Sequence, residues 1–451
     1  MNKIEGIRGQ EFKSDWCDWE TGENLSDEKV KKSLGDNAAN LGSDSREYLG
    51  VHFEGEKLMA SYFVGQVWLK ENDSVLQKSP KRQDKVDYFK MTAECLSHPI
   101  VGKHILADND DQCFYFDTEK APIPLDQKLK KPIILLLVAQ YLKELFWLCK
   151  RHLRRGFPRV ERNLTGRCKG RVLIKENIIH NSARGRFDRL YCQYQIHTMD
   201  TLENQILRAA LEQSIRVLRT YAAKDSLKAL WGWANEPANT LSGVKLRRIY
   251  PSEFHQIRYS GSLKVYKKPH ALARMILRTL GSDPNRPKEF NKIELPPFSI
   301  NMNELFERYC DVLLRKHYKG IKELWVGYTN LGKQKDVQLR PDYLIRKSKK
   351  AIIDAKYKYD WGSSERKDVY QVLAYSRHKG VLKWLWNLED NNEFTDDLNE
   401  KCPDAIYILY PEDHQETNEV NLDLEQNFYK QISGFVLPIY KCPIPLPVKQ
   451  P

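Results

Sequence analysis

Apolar residues recur at spacings of three and four in several stretches, and that period predicts helices. The first runs over 133–151, where Leu135, Val138, Leu142, Leu145 and Cys149 make one face that reads as core. A second starts at Thr201 and carries Leu202, Ile206, Leu207, Ala210, Leu211, Ile215 and Leu218 on one side. Asp200 is its expected cap, and Glu203 suits the positive end of the helix dipole. A third spans 271–280. A fourth, NMNELFERYCDVLLRK at 301–316, turns Leu305, Tyr309, Val312 and Leu313 toward a core and leaves Glu304 and Glu307 for a pocket. DVYQVLAYSRH at 368–378 reads as a further helix.

Short apolar runs predict strands instead. They lie at 58–63, at 65–69 and, after an Asp/Asn turn cluster at 108–111, at 114–116, which makes the region from Tyr48 strand-rich. Residues 1–45 show no sustained period and read as a flexible lead-in. The aromatic, Gly, Asn and Pro mixture from Trp231 to Asn239 reads as a helix end and connection. Gly281, Pro284 and Pro287 mark 281–296 as a linker or surface loop.

The segment 337–360, VQLRPDYLIRKSKKAIIDAKYKYD, reads as strand, basic turn and strand. Asp342 and Asp354 are equidistant from position 348 inside that turn, so an antiparallel hairpin folded there sets the two carboxylates side by side. Strand alternation then places Lys356 on the face of Asp354, and Ile353, Ala355 and Tyr357 on the other. Paired carboxylates are hard oxygen ligands of the kind Mg2+ requires for phosphodiester hydrolysis. The Ala355 carbonyl is another available oxygen, and Glu307 completes such a shell directly or through water if its helix docks on the hairpin. Lys356 suits charge stabilisation at a phosphate or orientation of the attacking water. Asp368, Gln371 and Tyr375 share one helical face beside this group and are its expected support. A bland alternative stands beside this one, an exposed hairpin whose aspartates balance Arg340, Lys347, Lys349 and Lys350.

Charge adds a polyanionic partner to the picture. Of 451 residues, 73 are Lys or Arg and 60 are Asp or Glu, a formal charge of +13. Basic residues concentrate at 151–189, where Arg151, Arg154, Arg155, Arg159, Arg162, Arg167 and Arg171 are candidates for DNA phosphates, against the alternative of a solvated basic face. The 9 cysteines form no CxxC pair, and His180, His197, Cys168 and Cys192 lack the close ligand spacing of a structural zinc site. Trp231, Trp233, Arg247, Arg248 and Tyr250 are suited to stack on a flipped base, but helix-end packing accounts for them more simply. The apolar run at 133–142 is shorter than the roughly 20 residues that cross a bilayer, and 1–16 lacks a signal-peptide core, so a cytoplasmic chain without a membrane span is expected.

Pro341 and Asp342, then Asp354, Ala355 and Lys356, then Gln371 and Tyr375 resemble the PD, (D/E)XK and QxxxY motifs of the PD-(D/E)XK nuclease superfamily. Together with NMNELFE at 301–307, DAKYKY at 354–359, NLTG at 163–166 and ENQIL at 203–207, the chain from about 160 to 450 resembles McrC, the endonuclease subunit family of McrBC-type restriction systems. The resemblance implies an α/β fold: a C-terminal nuclease core of mixed sheet flanked by helices over 286–451, a helical connector over 196–285, and a strand-rich, basic motor-partner-binding region over 46–195. It also implies DNA cleavage with Mg2+, or Mn2+ in its place, with Asp342, Asp354 and Lys356 in the catalytic roles and Glu307 as the helix acid, Glu304 being its competitor. A hexameric AAA+ GTPase or ATPase of the McrB type is the implied partner, binding the GTP or ATP. This sequence has no GxxxxGK[ST] of its own. Two other readings stay open, a non-catalytic DNA-binding adaptor that keeps the nuclease fold and a stand-alone repair nuclease.

Overall fold

The computed structural model describes residues 49–54, 57–70, 74–78, 80, 85–106, 113–124, 130–151, 153–221, 228–280, 294–318, 323–327, 340–359, 365–387, 401–413, 424 and 429–448. The lead-in expected at 1–45, and 281–293 of the expected linker, lie outside them. The chain divides into two compact units, one from 1–133 with 292–451 and the other from 134–291. That partition differs from the one expected, with breaks at 195/196 and 285/286.

The reason is strand pairing. In the first unit β1 (Val51–Glu54) and β2 (Lys57–Ala60) pair with each other, and β3 (Phe63–Lys70) pairs with β4 (Ser74–Lys78). Helices α1 (Tyr88–Ser97) and α2 (Val101–Ile105) follow, then β5 (Phe114–Phe116) and β6 (Ile123–Pro124). The sequence period did not predict α1 or α2. The side chain of Asp87 caps α1 by accepting from the Lys90 N–H.

The second unit holds most of α3 (Lys130–Arg151), then β7 (Arg159–Thr165), β8 (Arg171–Val172), α4 (Ile174–His180) and β9 (Arg189–Gln195). The three strands form a sheet in the order β7-β9-β8. Helices α5 (Leu202–Tyr221), α6 (Lys228–Thr240), α7 (Pro251–Phe254) and α8 (Lys267–Leu280) complete it. Residues 231–239, expected as a connection, are helical within α6 even though Pro237 lies inside it. Burial of Leu230, Trp233 and Ala234 on one side outweighs the lost backbone hydrogen bond. The start of α5 is also corrected: the Thr201 hydroxyl accepts from the Asn204 N–H, while Asp200 accepts from the Lys245 backbone and the Gln205 amide. Inside this unit His270 is fully buried between the Tyr259 hydroxyl (3.1 Å) and the Glu203 carbonyl (3.0 Å).

The chain then returns to the first unit. β10 (Glu294–Leu295) pairs with β6, and β11 (Phe298–Asn301) inserts between β3 and β5 to give the sheet order β4-β3-β11-β5. Gly65 is required there, because a Cβ at that position would lie 2.1 Å from the Phe298 carbonyl oxygen. β11 runs straight into α9 (Met302–His317), whose first turn is capped by Asn301 accepting from the Glu304 N–H. Helices α1 and α2 pack on α9.

Beyond α9 come β12 (Leu324–Val326), β13 (Tyr343–Arg346), β14 (Lys350–Ala355), α10 (Glu365–Ser376), α11 (Lys379–Trp386), β15 (Ala405–Asp413), β16 (Lys430–Gln431) and β17 (Ile439–Leu446). The strands form one mixed sheet in the order β12-β13-β14-β15-β17-β16, with β14–β15 and β15–β17 parallel. Leu344, Ile352, Ile406 and Ile408 cover α10 and α11 through Val369, Val372, Val381 and Leu385. Each such side chain contributes about 2 kcal/mol by leaving water, and together they fix the position of α10 against β14. Among the described residues no helix is long and apolar enough to cross a membrane.

Candidate active site

The hairpin folds about the centre its sequence predicts. Tyr343 pairs with Ile353, Leu344 with Ile352, Ile345 with Ala351 and Arg346 with Lys350. The same register carried one step outward sets Asp342 opposite Asp354. Asp342 Oδ2 accepts from the Ala355 N–H at 2.6 Å, which ties the two ends of the hairpin together. Lys356 lies just past the strand, held in line by its N–H donating to the Leu409 carbonyl at 2.8 Å. Its ammonium stands 2.8 Å from Asp354 Oδ2, so Asp354 and Lys356 share a face as alternation requires. Asp354 is 1% exposed, and its Oδ2 takes no directed hydrogen bond; its near neighbour is the Lys356 charge.

Helix α10 supplies the support. Lys356 donates to Gln371 Oε1 at 2.9 Å, and Gln371 in turn donates through its amide nitrogen to the Tyr375 hydroxyl at 2.6 Å. Tyr375 is buried, and burial together with the Asp354 charge pushes its hydroxyl up to about 12, so it stays protonated. Asp368 lies on this helix but takes a different partner: both of its oxygens accept from Lys358, at 2.8 and 2.9 Å. Burial alone would lower Lys356, but the carboxylates of Asp354 and Asp342 overcome it and hold the amine above its usual range.

Helix α9 approaches with two acids and an arginine that the sequence reading did not single out. Arg308 is buried and bridges Glu304 Oε2 at 2.5 Å and Glu307 Oε1 at 2.8 Å. The Tyr343 hydroxyl donates to the Glu307 backbone carbonyl and so fastens the helix to β13. Burial pushes the Glu307 carboxyl up to about 8 against the pull of Arg308, with Glu304 and Asp354 adding repulsion. Asp342 is raised well above the ordinary carboxylate range, first by burial and then by Asp354 and Glu307. An arginine beside two glutamates in ELFER is the signal that was available for Arg308.

Two facts test whether these residues suit a divalent cation. A buried, undirected aspartate oxygen and a second carboxyl destabilised by its acidic neighbours form a hard-oxygen pair that added positive charge would relieve. Among the described residues no three His, Cys, Asp or Glu side chains converge closely enough to hold an ion by themselves. Asp342 and Asp354 are thus the pair whose chemistry fits a divalent cation, while Glu307 is engaged by Arg308.

The other candidates lie elsewhere. Arg159 and Arg162 are on β7, Arg171 on β8 and Arg167 between them, all exposed in the second unit. Arg154 pairs with Glu203 at 3.2 Å, Arg151 lies over the Trp147 ring, and Arg155 is exposed. His180 stacks on Tyr191 and His197 on Phe157, while Cys192 is buried and Cys168 exposed. Arg247 pairs with Glu253 at 2.6 Å and Arg248 lies over Tyr250. Tyr357, expected to pack away from Lys356, is buried against Phe306 and hydrogen-bonds Tyr88 at 2.9 Å.

A mixed α/β protein with an acid-and-lysine site at the open end of a hairpin is the class these features define. The chain belongs to the McrBC family: residues 59–383 match the family described as McrBC 5-methylcytosine restriction system component. Comparison with curated proteins gives no match. Among solved structures the chain is similar to one in the half-complex of the tetradecameric assembly of Thermococcus gammatolerans McrB AAA+ hexamers with bound McrC, at 16% identity over 93% of this chain and 87% of that chain, with a TM-score of 0.35. It is also similar to a chain of the Thermococcus gammatolerans McrBC complex, at 17% identity over 66% of this chain and 80% of that chain, with a TM-score of 0.30.

Proposed function

We propose that this chain is the DNA endonuclease subunit of a modification-dependent restriction system, hydrolysing phosphodiester bonds with Mg2+ and working with a separate hexameric AAA+ NTPase of the McrB type. The observation that carries this reading is Asp342 and Asp354 in register across the hairpin, with Lys356 at 2.8 Å from Asp354. The order α9, β12, β13, β14, α10, β15 agrees with a core of PD-(D/E)XK type, the finer fold assignment we favour. Asp342 and Asp354 would hold Mg2+, which would supply positive charge for the scissile phosphate and a more acidic water.

The protein's own groups do the rest. Lys356 stays protonated at neutral pH and donates to a phosphate oxygen or to the water. Gln371 keeps the amine from swinging away, and Tyr375 fixes Gln371. Glu307, held by Arg308, acts through water. Family membership points to the partner and to methylated DNA as substrate. The second unit offers a surface suited to such a partner: Ile174 and Phe187 are 72% and 82% exposed, Ile178 and Ile179 are also exposed, and Arg167, Arg171, Arg184 and Arg186 are exposed in the same unit.

The test is Mg2+-dependent cleavage of 5-methylcytosine DNA by the chain assembled with its AAA+ partner. Asp354→Ala abolishes cleavage and leaves folding and DNA binding intact; undiminished cleavage by the purified variant rejects the site. Cleavage that is the same without the partner favours a stand-alone nuclease.

A further inference from the structure

The outward side of α10 differs from the rest of the catalytic surroundings. Val369 and Val372 turn into the core, and Tyr375 lies buried beside them. On the other side Arg366, Lys367, Tyr370, Gln371, Ala374 and Arg377 are all exposed. Arg366 and Lys367 lie three or four residues before Tyr370 and Gln371, Ala374 follows these by four and three, and Arg377 by a further three, so they form one continuous strip along the helix. Its charged members are all basic. Asp368, the acid on this helix whose surroundings are described, points inward to Lys358.

Two further features aim the strip at a ligand. Gln371 belongs both to it and to the catalytic group, through its 2.9 Å hydrogen bond from Lys356, so the strip runs directly from the reacting centre. Tyr370 is 63% exposed next to that glutamine. One exposed aromatic is unremarkable by itself. An exposed aromatic flanked by cations and adjoining a phosphodiester site has the makeup of a nucleic-acid track, where cations meet phosphates and the ring meets a sugar or base face. Ala374, small and exposed, lets a backbone approach the helix closely.

We propose that the outer face of α10 is the track for one strand of the DNA substrate: Arg366 and Lys367 hold backbone phosphates and the Tyr370 ring lies against a sugar or base beside the scissile position. The proposal rests on the nuclease reading of the same site. Neither Tyr370 nor the two cations touch the carboxylates, and they are binding residues, not catalytic ones.

The test uses the full chain assembled with its AAA+ partner on an end-labelled 5-methylcytosine duplex. A photo-crosslinking residue, Tyr370→p-benzoylphenylalanine, is placed in a chain that also carries Asp354→Asn, so that bound DNA stays intact. The same probe at Val436, fully exposed at the far end of the sheet, is the control. The expected result is a DNA adduct at 370, mapping within a few nucleotides of the cleavage position, and none at 436. Arg366→Ala with Lys367→Ala is expected to weaken binding and to make the dependence of log Kd on log salt shallower by about one for each lost phosphate contact. Absence of a DNA adduct at 370, or an unchanged salt slope, overturns the track. Cleavage by the Asp354→Asn chain at the normal rate overturns the nuclease reading instead, so the two failures are distinct.

Discussion

The Lys356 ammonium donates to Gln371 Oε1 at 2.9 Å while standing 2.8 Å from Asp354, so one cation is fixed from a strand on one side and a helix on the other. Gln371→Leu removes the helix half of that hold and leaves the charge in place. Supporting residues of this kind are typically worth about 10- to 100-fold in activity. The expected outcome is a fall of that size in single-turnover cleavage with little change in the occupancy of Lys356's protonated form. A variant that cleaves at the wild-type rate, measured with saturating DNA, would remove Gln371 from the mechanism.

Burial and the neighbouring carboxylates of Asp354 and Glu307 make Asp342 harder to ionise in the folded chain, so without divalent ions its titration works against the folded state. A carboxyl raised in the folded chain lowers stability as pH climbs above its unfolded value. Mg2+ therefore raises the melting temperature of the wild-type chain, and Asp342→Asn raises it in metal-free buffer while blunting the Mg2+ response. At about 100 times its Kd an ion contributes roughly 2.7 kcal/mol to stability. Equal Mg2+ shifts in wild type and Asp342→Asn, read by differential scanning fluorimetry, contradict this.

How far the site was visible in the sequence follows from the range of each cue. Strand alternation and a turn centred on 348 are local, and they placed Asp342, Asp354 and Lys356 correctly. The helical spacing of apolar residues over 301–316 gave α9 within one residue at each end. Arg308 was missed because its value lies in burial between two acids, which period alone does not report. Asp368 lies near Lys356 as expected and helps to raise that amine, but its hydrogen bonds go to Lys358, two residues further along. Trp231–Asn239 misled because Gly, Asn and Pro are breakers only when nothing is packed against them. The division into units turned on β11 pairing with β3 and β5, contacts between strands far apart in sequence that no short window contains.

His270 carries a stability prediction of the opposite kind. Burial lowers it to about 4 from an ordinary 6.5, so the folded chain keeps it neutral where the unfolded chain would protonate it. Stability contributed by the neutral ring is complete above pH 6.5 and is lost as pH falls from there toward 4. At 1.36 kcal/mol for each pH unit the loss reaches about 3 kcal/mol. Thermal unfolding followed from pH 7 to pH 4.5 is expected to show this decline, and His270→Gln to show less of it; identical slopes would place the titrating group elsewhere.

Tyr88 and Tyr357 share one buried hydrogen bond at 2.9 Å between α1 and the segment after β14. Removing either hydroxyl breaks this shared bond, at a net cost of about 0.5–1.5 kcal/mol. Tyr88→Phe with Tyr357→Phe is expected to cost clearly less than the two single changes added together. Strict additivity in urea unfolding would show that the hydroxyls do not depend on each other.

The pairing of β11 has a practical reach beyond the fold. Cutting the chain ahead of β10 would strip β3 and β5 from β11 and leave both edges of a buried strand open to any passing polypeptide. A carboxy-terminal fragment beginning near 286 is therefore a poor vehicle for studying cleavage and a good recipe for aggregate. The smallest piece that keeps those edges covered is discontinuous in sequence, with 134–291 replaced by a short linker.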